Sequence, residues 1–242
     1  MKLKKSILII GLMASGFAAN AQKAEIGISG GAGTTWLMNK NVFDYGDNLD
    51  PVVSFGGNYG LAATFYFSEK VGLGIELNNA IVNQKYKGVV GGVDYDSKTK
   101  ITYFDVPLLL KLKSGKSGFY FEIGPKVSYV LTASEEYNSS LNTLLAYTGG
   151  SVRDDFSNMI ISGVVGIGGR MNVVDALTIS IGLRLAGSIT DATEEYTASS
   201  ILTQNGISGS AANVASDGKL DYKRTTLATG GIQVGIAYRI GK

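Results

Sequence analysis

Apolar and polar residues alternate with period two in eight segments of the chain, which is the pattern of β-strands with two different faces. In Leu177–Thr190, for example, Leu177, Ile179, Ile181 and Leu183 occupy one face. The eight predicted strands are Glu25–Leu37, Asn58–Ser68, Val71–Gln84, Lys100–Lys113, Gly118–Ala133, Met159–Asn172, Leu177–Thr190 and Thr226–Ile240. The sequence therefore predicts an all-β protein.

The second face of these strands consists of Gly, Ser, Thr and scattered charged residues. A soluble β-sandwich or a soluble secreted barrel, the alternative interpretation, would point its apolar face inward and show a charged face to water. The small-residue face is too poor in charge for that role. We therefore expect the apolar face to contact lipid and the small-residue face to line a narrow lumen.

The connections between the predicted strands alternate in length. Three short ones, Glu69–Lys70, Ser114–Ser117 and Val173–Ala176, lie on one side, and four long ones, Met38–Gly57, Lys85–Thr99, Ser134–Asn158 and Asp191–Thr225, lie on the other. This alternation is typical of outer-membrane barrels, which have short periplasmic turns and long extracellular loops. The prediction is an eight-stranded antiparallel up-and-down transmembrane β-barrel with both termini periplasmic, in the outer membrane of a Gram-negative bacterium.

The first residues of the chain are expected to be a secretory signal peptide. Three lysines precede the short apolar run Ser6–Ala18, and Ala19-Asn20-Ala21 is a small-x-small cleavage site. The run is too short for the alternative, a membrane anchor. We thus predict a signal peptide at residues 1–21 and one barrel domain at residues 22–242.

Composition narrows the chemistry available to this domain. The chain has 33 Gly among 242 residues, and it contains no His and no Cys. Without imidazole or thiol, the usual nucleophile–base pairs and zinc sites cannot be built. Subtracting the three lysines of residues 1–21 from the 22 basic residues leaves 19 against 20 acidic ones, so no basic excess indicates nucleic acid. We expect a non-enzymatic protein with no cofactor.

Charged residues on the predicted lumen face are the main candidate site. Alternation directs nine of them inward: Glu25, Glu76, Asp105, Glu122, Lys111, Lys126, Arg170, Arg184 and Arg239. Five of these, Glu76, Asp105, Glu122, Lys126 and Arg184, are expected near mid-height. A charge in a narrow lumen must be paired or solvated. The sequence predicts a structural network of ion pairs that closes the lumen, with a selective constriction for small ions and a ligand site as alternatives.

Three motifs are set aside. Ser29–Thr35 is rich in Gly but lacks the lysine and helix of a phosphate-binding loop, and Gly166–Gly169 lies within a predicted strand. Asp44, Asp47 and Asp50 could bind Ca²⁺ weakly, but their spacing is not that of an EF-hand. A solvated acidic loop is the simpler interpretation.

The segments Ile101–Lys111 (ITYFDVPLLLK) and Phe119–Lys126 (FYFEIGPK) resemble the PorT-type outer-membrane β-barrel family common in Bacteroidota. That family shows an aromatic-x-x-[Ile/Val]-Pro-Leu-Leu-Leu-Lys strand followed by a Phe-x-x-Gly-Pro strand. The resemblance implies the same fold and a connection to type IX protein secretion for its named member.

The expected function is a closed barrel that acts through its extracellular loops or through envelope partners. A small diffusion pore is the alternative, and an enzyme at the lipid interface is disfavoured because outer-membrane enzyme families use a catalytic His. The expected partners are outer-membrane lipid, the barrel-assembly machinery during biogenesis and an unidentified envelope or extracellular protein.

Overall fold

The computed structural model of the protein describes residues 23–90, 92–115, 118–137, 149–195, 212–213 and 219–240. The predicted signal peptide at residues 1–21 lies outside these residues. Much of the predicted fourth loop, residues 196–211 and 214–218, lies outside them as well. Among the described residues, no helix has the length and apolar character needed to cross a membrane.

Ten strands and a few short helical turns make up the described chain. The strands are β1 (Lys23–Asn39), β2 (Asp50–Val52), β3 (Ser54–Tyr66), β4 (Val71–Val90), β5 (Val93–Lys113), β6 (Gly118–Tyr137), β7 (Gly149–Ser151), β8 (Met159–Val174), β9 (Leu177–Ser188) and β10 (Thr225–Ile240). The helical turns are α1 (Lys40–Asp44) and two 3₁₀ turns, Gly46–Asn48 and Arg153–Asp155. The two shortest strands, β2 and β7, only attach to the edges of β4 and β6.

The eight long strands form a closed antiparallel ring. Each pairs with the next long strand along the chain, and β1 pairs with β10 to complete the circle, for example through Ile28 opposite Ile236. Closure leaves no long strand with an unpaired edge. The predicted eight-stranded antiparallel barrel is confirmed.

The barrel has two different ends. At the turn end, short connections join β3 to β4, β5 to β6 and β8 to β9. At the loop end, the segments between β1 and β3, β6 and β8, and β9 and β10 are long. The predicted second long loop, Lys85–Thr99, is wrong, because Lys85 to Val90 and Val93 to Thr99 continue the β4–β5 ladder as a protruding hairpin.

The outward face carries large apolar side chains. Tyr59 is 67% exposed, Ile181 58% and Phe119 75%, in a protein whose inward residues are mostly buried. A soluble domain would not leave a ring of such residues open to water. This exposed belt is the surface expected to contact lipid chains.

The loop end of the lumen is filled by an apolar core that we call the cap. It consists of Leu37, Ala80, Val82, Ile101, Tyr103, Val130, Ala133, Val152, Phe156, Ile160, Ala192 and Leu227. Val152, Phe156 and Ala192 come from the connections, and they insert between side chains of the strands. The predicted small, polar lumen face is therefore wrong at this end, where the strands enclose a core like that of a soluble domain.

Polar contacts tie the connections over the cap. Asn39 caps α1 by accepting a hydrogen bond from the Asn41 amide at 2.8 Å, and its Nδ2 donates to Thr225 Oγ1 at 2.9 Å. The Tyr222 hydroxyl donates to the Asp191 carboxylate, and Asp191 accepts from the Thr225 amide. The start of α1 is thereby fixed to the start of β10.

Candidate functional site

Four charged side chains meet across the middle of the lumen, and we call Glu76, Lys111, Glu122 and Arg184 the central cluster. The sheet register explains three of them, because Lys111 lies opposite Glu122 while Glu122 and Arg184 both lie opposite Gly166. Glu76 lies on β4, which pairs with β5 and stands across the lumen from Arg184 on β9.

Arg184 joins both acids of the central cluster. Its Nη1 and Nη2 each donate to Glu76 at 2.8 Å, and its Nε donates to Glu122 Oε1 at 2.7 Å. Lys111 Nζ lies 3.6 Å from Glu76 and 3.5 Å from Glu122. Two-pronged pairing of a guanidinium with a carboxylate is the strongest common ion-pair geometry. Two acids and two bases thus balance within one layer.

Gly166 makes this layer possible. It separates Glu122 and Arg184, which stand on the strands at either side, and a Cβ at position 166 would lie 2.7 Å from Glu122 Oε1. A side chain there would push Glu122 away from Arg184. The geometry of the layer therefore depends on the absence of a side chain at this position.

Gly166→Ala is expected to destabilise the folded protein by about 1–3 kcal/mol, as overpacking of a filled interior does. The measurement is the free energy of unfolding in urea. Gly187→Ala is the matched control, because a Cβ there meets nothing within 4 Å. Equal effects of the two changes would contradict the role assigned to Gly166.

The remaining predicted site residues, Asp105 and Lys126, form a separate pair nearer the loop end. Lys126 Nζ donates to Asp105 Oδ2 at 3.1 Å, and neither touches a charged atom of the central cluster within ion-pair distance among the described residues. The structure thus brings Glu76, Glu122 and Arg184 together and leaves Asp105 and Lys126 as their own pair.

A third group of charges lies at the turn end. Arg170 donates to Glu25 Oε1 at 2.6 Å and to the Tyr66 hydroxyl at 2.7 Å, and Tyr66 donates to Glu25 Oε2 at 3.1 Å. Arg239 Nε lies 3.7 Å from the same carboxylate. Tyr66 is not among the predicted site residues, although its position between the outward Phe65 and Phe67 places it on the lumen face.

Two cavities of about 80 Å³ each lie within the barrel, on either side of the central cluster. One is lined by Asn58, Asp105 and Lys126 on the loop side, and the other by Glu25, Tyr66 and Arg170 on the turn side. Arg184 lines both of them. The walls of both cavities are mostly apolar, with a few charged groups among them. The central cluster is therefore a partition between two small chambers.

Asp155 is an acidic group beneath the cap connections. It is 5% exposed, and burial raises its pKa to about 7, with the charges of Glu135 and Asp154 acting in the same direction. The folded protein holds the Asp155 proton more tightly than the unfolded chain does. The contribution of Asp155 to stability is therefore fully present below about pH 4 and is lost as the pH rises to about 7.

We expect the apparent melting temperature to fall between these two pH values and Asp155→Asn to flatten that part of the profile. The measurement is heat-modifiable gel mobility recorded across the pH range. Asp47→Asn is the control, since Asp47 is exposed and lies in a different connection. A profile that Asp155→Asn leaves unchanged would contradict the assignment.

The three motifs that were not interpreted as binding sites lie in strands and short helical turns. Ser29–Thr35 lies inside β1 and Gly166–Gly169 inside β8. Asp44 ends α1, whereas Asp47 lies in a 3₁₀ turn and Asp50 begins β2. Within the residues that the structure describes, no group of three acidic side chains is placed to hold a metal ion.

Solved structures with a similar fold are small outer-membrane barrels. Ail, the attachment invasion locus protein of Yersinia pestis, is 14% identical with a TM-score of 0.39, covering 90% of this chain and 99% of that one. OprG from Pseudomonas aeruginosa is 15% identical with a TM-score of 0.37, covering 92% and 98%. Among curated proteins, none matches the sequence significantly.

The family comparison covers nearly the whole chain. Residues 20–240 match the model of the outer membrane protein beta-barrel domain. That span includes every strand of the closed ring and all four members of the central cluster. The chain belongs to the outer membrane protein beta-barrel domain family.

Proposed function

We propose that this protein is a non-enzymatic barrel with a closed lumen, which acts by presenting its loop end to another protein. The observation that carries the proposal is closure at two successive levels, the central cluster and the cap. A solute entering from the loop end meets a packed apolar core and then a layer of paired charges. The absence of His and Cys from the sequence agrees with a role without catalysis.

The orientation that supports this role has the loop end outside the cell and both termini in the periplasm. It rests on the general rule that outer-membrane barrels have short periplasmic turns and longer extracellular loops. In this orientation α1 and the β4–β5 hairpin form a folded extracellular surface above the cap.

A connection to protein secretion is part of the proposal only through resemblance. The PorT-like segments Ile101–Lys111 and Phe119–Lys126 lie in β5 and β6, where they supply Lys111 and Glu122 to the central cluster. In this chain, those motif residues serve closure of the lumen. The proposed partner is therefore sought at the loop end, not within the barrel.

Site-specific photo-crosslinking in the envelope of the source cells tests the proposal. A crosslinking residue at Lys40 or Asp47, which are exposed at the loop end, should give one discrete adduct with another envelope protein. The same residue at Glu69, exposed in the turn between β3 and β4, is the positional control. Adducts from Glu69 alone, or none from either loop-end position, would contradict presentation through the loop end.

A small diffusion pore is the second candidate function. It is favoured by the two chambers inside the barrel, since only the central cluster separates them. An eight-stranded barrel has an interior just wide enough to be filled by side chains, which favours closure instead. The two functions differ in whether the protein conducts ions.

A further inference from the structure

Four lysines lie together on the outer surface of β4 and β5, and we call Lys85, Lys87, Lys98 and Lys100 the lysine patch. Their side chains point away from the lumen, because the neighbouring residues Gln84, Tyr86 and Thr99 are buried inside. Lys85, Lys87 and Lys100 are exposed, and Lys98 is partly exposed. Among the described residues, none of the four forms an ion pair.

The patch begins where the lipid-facing belt ends. On β4, the outward positions run from Val71 through Leu77 to Ile81, and each residue rises about 2.5 Å along the membrane normal in a tilted strand. This run spans about 25 Å, which matches the apolar band of such barrels. Lys100, opposite Asn83, lies about 5 Å beyond the belt, and the Lys85–Lys98 pair about 10 Å beyond it. Those heights are the level of lipid headgroups.

The charges in these two rows do not balance. The first row places Lys100 between Asn83 and Ser134, and the second places Lys98 between Lys85 and Glu136. Three lysines therefore face a single acid in these two rows, whereas Lys87, in the next row, lies between Asp50 and Asp96 and has its charge balanced there. Lysines directly opposite each other in a sheet destabilise it. An anion held between them would remove this repulsion.

We propose that the lysine patch binds the phosphate groups of lipid headgroups in the leaflet at the loop end. Lysine is well suited to this role, because its long apolar stem can lie along the lipid-facing belt while the ammonium reaches a phosphate. The proposal rests on the membrane-spanning barrel described under the proposed function, and it adds a lipid ligand at the outer surface of that barrel.

The single tryptophan is a reporter for this surface. Trp36 is the one Trp of the sequence, and its neighbours Thr35 and Leu37 are buried, so its ring faces outward. The Thr35 hydroxyl donates to the Asn83 carbonyl, and the Leu37 amide donates to Gln84 Oε1 at 2.9 Å. Trp36 therefore lies at about the height of the Lys100 row and the Lys85–Lys98 row.

The test uses the refolded mature protein in vesicles of phosphatidylcholine mixed with phosphatidic acid. Bromine is placed on the acyl chains of either lipid next to the glycerol, close to the height of Trp36, and quenching of Trp36 fluorescence gives the relative affinity for the two. Brominated phosphatidic acid should quench more strongly at equal mole fraction. The preference should fall about fivefold for each lysine neutralised, and high salt should weaken it.

Lys98→Gln and the double variant Lys85→Gln with Lys98→Gln should lower the preference, whereas Lys70→Gln, at an exposed lysine of the turn end, should not. Lys98→Arg keeps the charge and should retain the preference. Equal quenching by the two lipids, or an equal effect of Lys70→Gln, would overturn the proposal. If neither brominated lipid quenches Trp36, the membrane-spanning barrel itself fails; if both quench equally, only the lipid site fails.

Discussion

Replacing Arg184 by methionine is expected to destabilise the folded barrel by about 3–5 kcal/mol, the cost of leaving a buried charge without its partner. Glu76 and Glu122 have side chains that are only 2% exposed, and Arg184 donates three hydrogen bonds to them. After the substitution, Lys111 alone faces both carboxylates at 3.5 Å or more. The measurement is the free energy of unfolding in urea in lipid vesicles.

Lys111→Met is the matched control for this prediction. Lys111 contacts the same two acids, but at longer distances and with a side chain that is 21% exposed. Its loss should therefore cost less than the loss of Arg184. Adding Glu76→Gln alone to Arg184→Met should restore much of the stability, because the one remaining acid, Glu122, then stays paired with Lys111. No gain from this combined variant would show that the cost has another cause.

Phe156→Ala is expected to cost about 3–5 kcal/mol, as removal of a large side chain from a packed core does. Phe156 is 1% exposed and packs among residues from both the strands and the connections. Because it enters the lumen from the loop side, its removal should also loosen the cap. Proteolysis at the loop end, followed alongside unfolding in urea, would measure that loosening.

Phe43→Ala is the matched control, because it removes a phenyl ring at the same end of the barrel without removing a residue of the cap. Phe43 lies in α1 at the same end of the barrel but is 53% exposed. Its truncation should change stability little. Similar costs for Phe43→Ala and Phe156→Ala would be inconsistent with a tightly packed cap.

The fold was predictable because successive residues of each transmembrane strand face lipid and lumen in turn. The two environments therefore leave a pattern of period two in the sequence. Large apolar residues on one face and small ones on the other identify all eight strands, and the starts of β4, β6, β8 and β9 agree with the prediction. The inward direction of Arg184 and Glu122 follows from the same alternation. Their meeting across Gly166 does not, because it depends on the register between three strands.

The loop end could not be predicted in this way. Beyond the membrane, both faces of β4 and β5 carry polar residues, so the alternation weakens and Lys85–Thr99 resembles a loop although it pairs as a hairpin. The inward Ile101 and Tyr103 were a signal that the lumen is apolar at this height. The local sequence pattern does not show that Val152 and Phe156 pack against them, because that contact joins a connection to strands far away along the chain.

The most direct test of the closed lumen is single-channel conductance of the refolded mature protein in a planar bilayer. The central cluster and the cap block the lumen at two levels, so we expect a trace without stable conductance steps. Stable, ohmic steps would contradict the account. The lumen would then be open, and Glu76, Glu122 and Arg184 would become candidates for selecting the ions that pass.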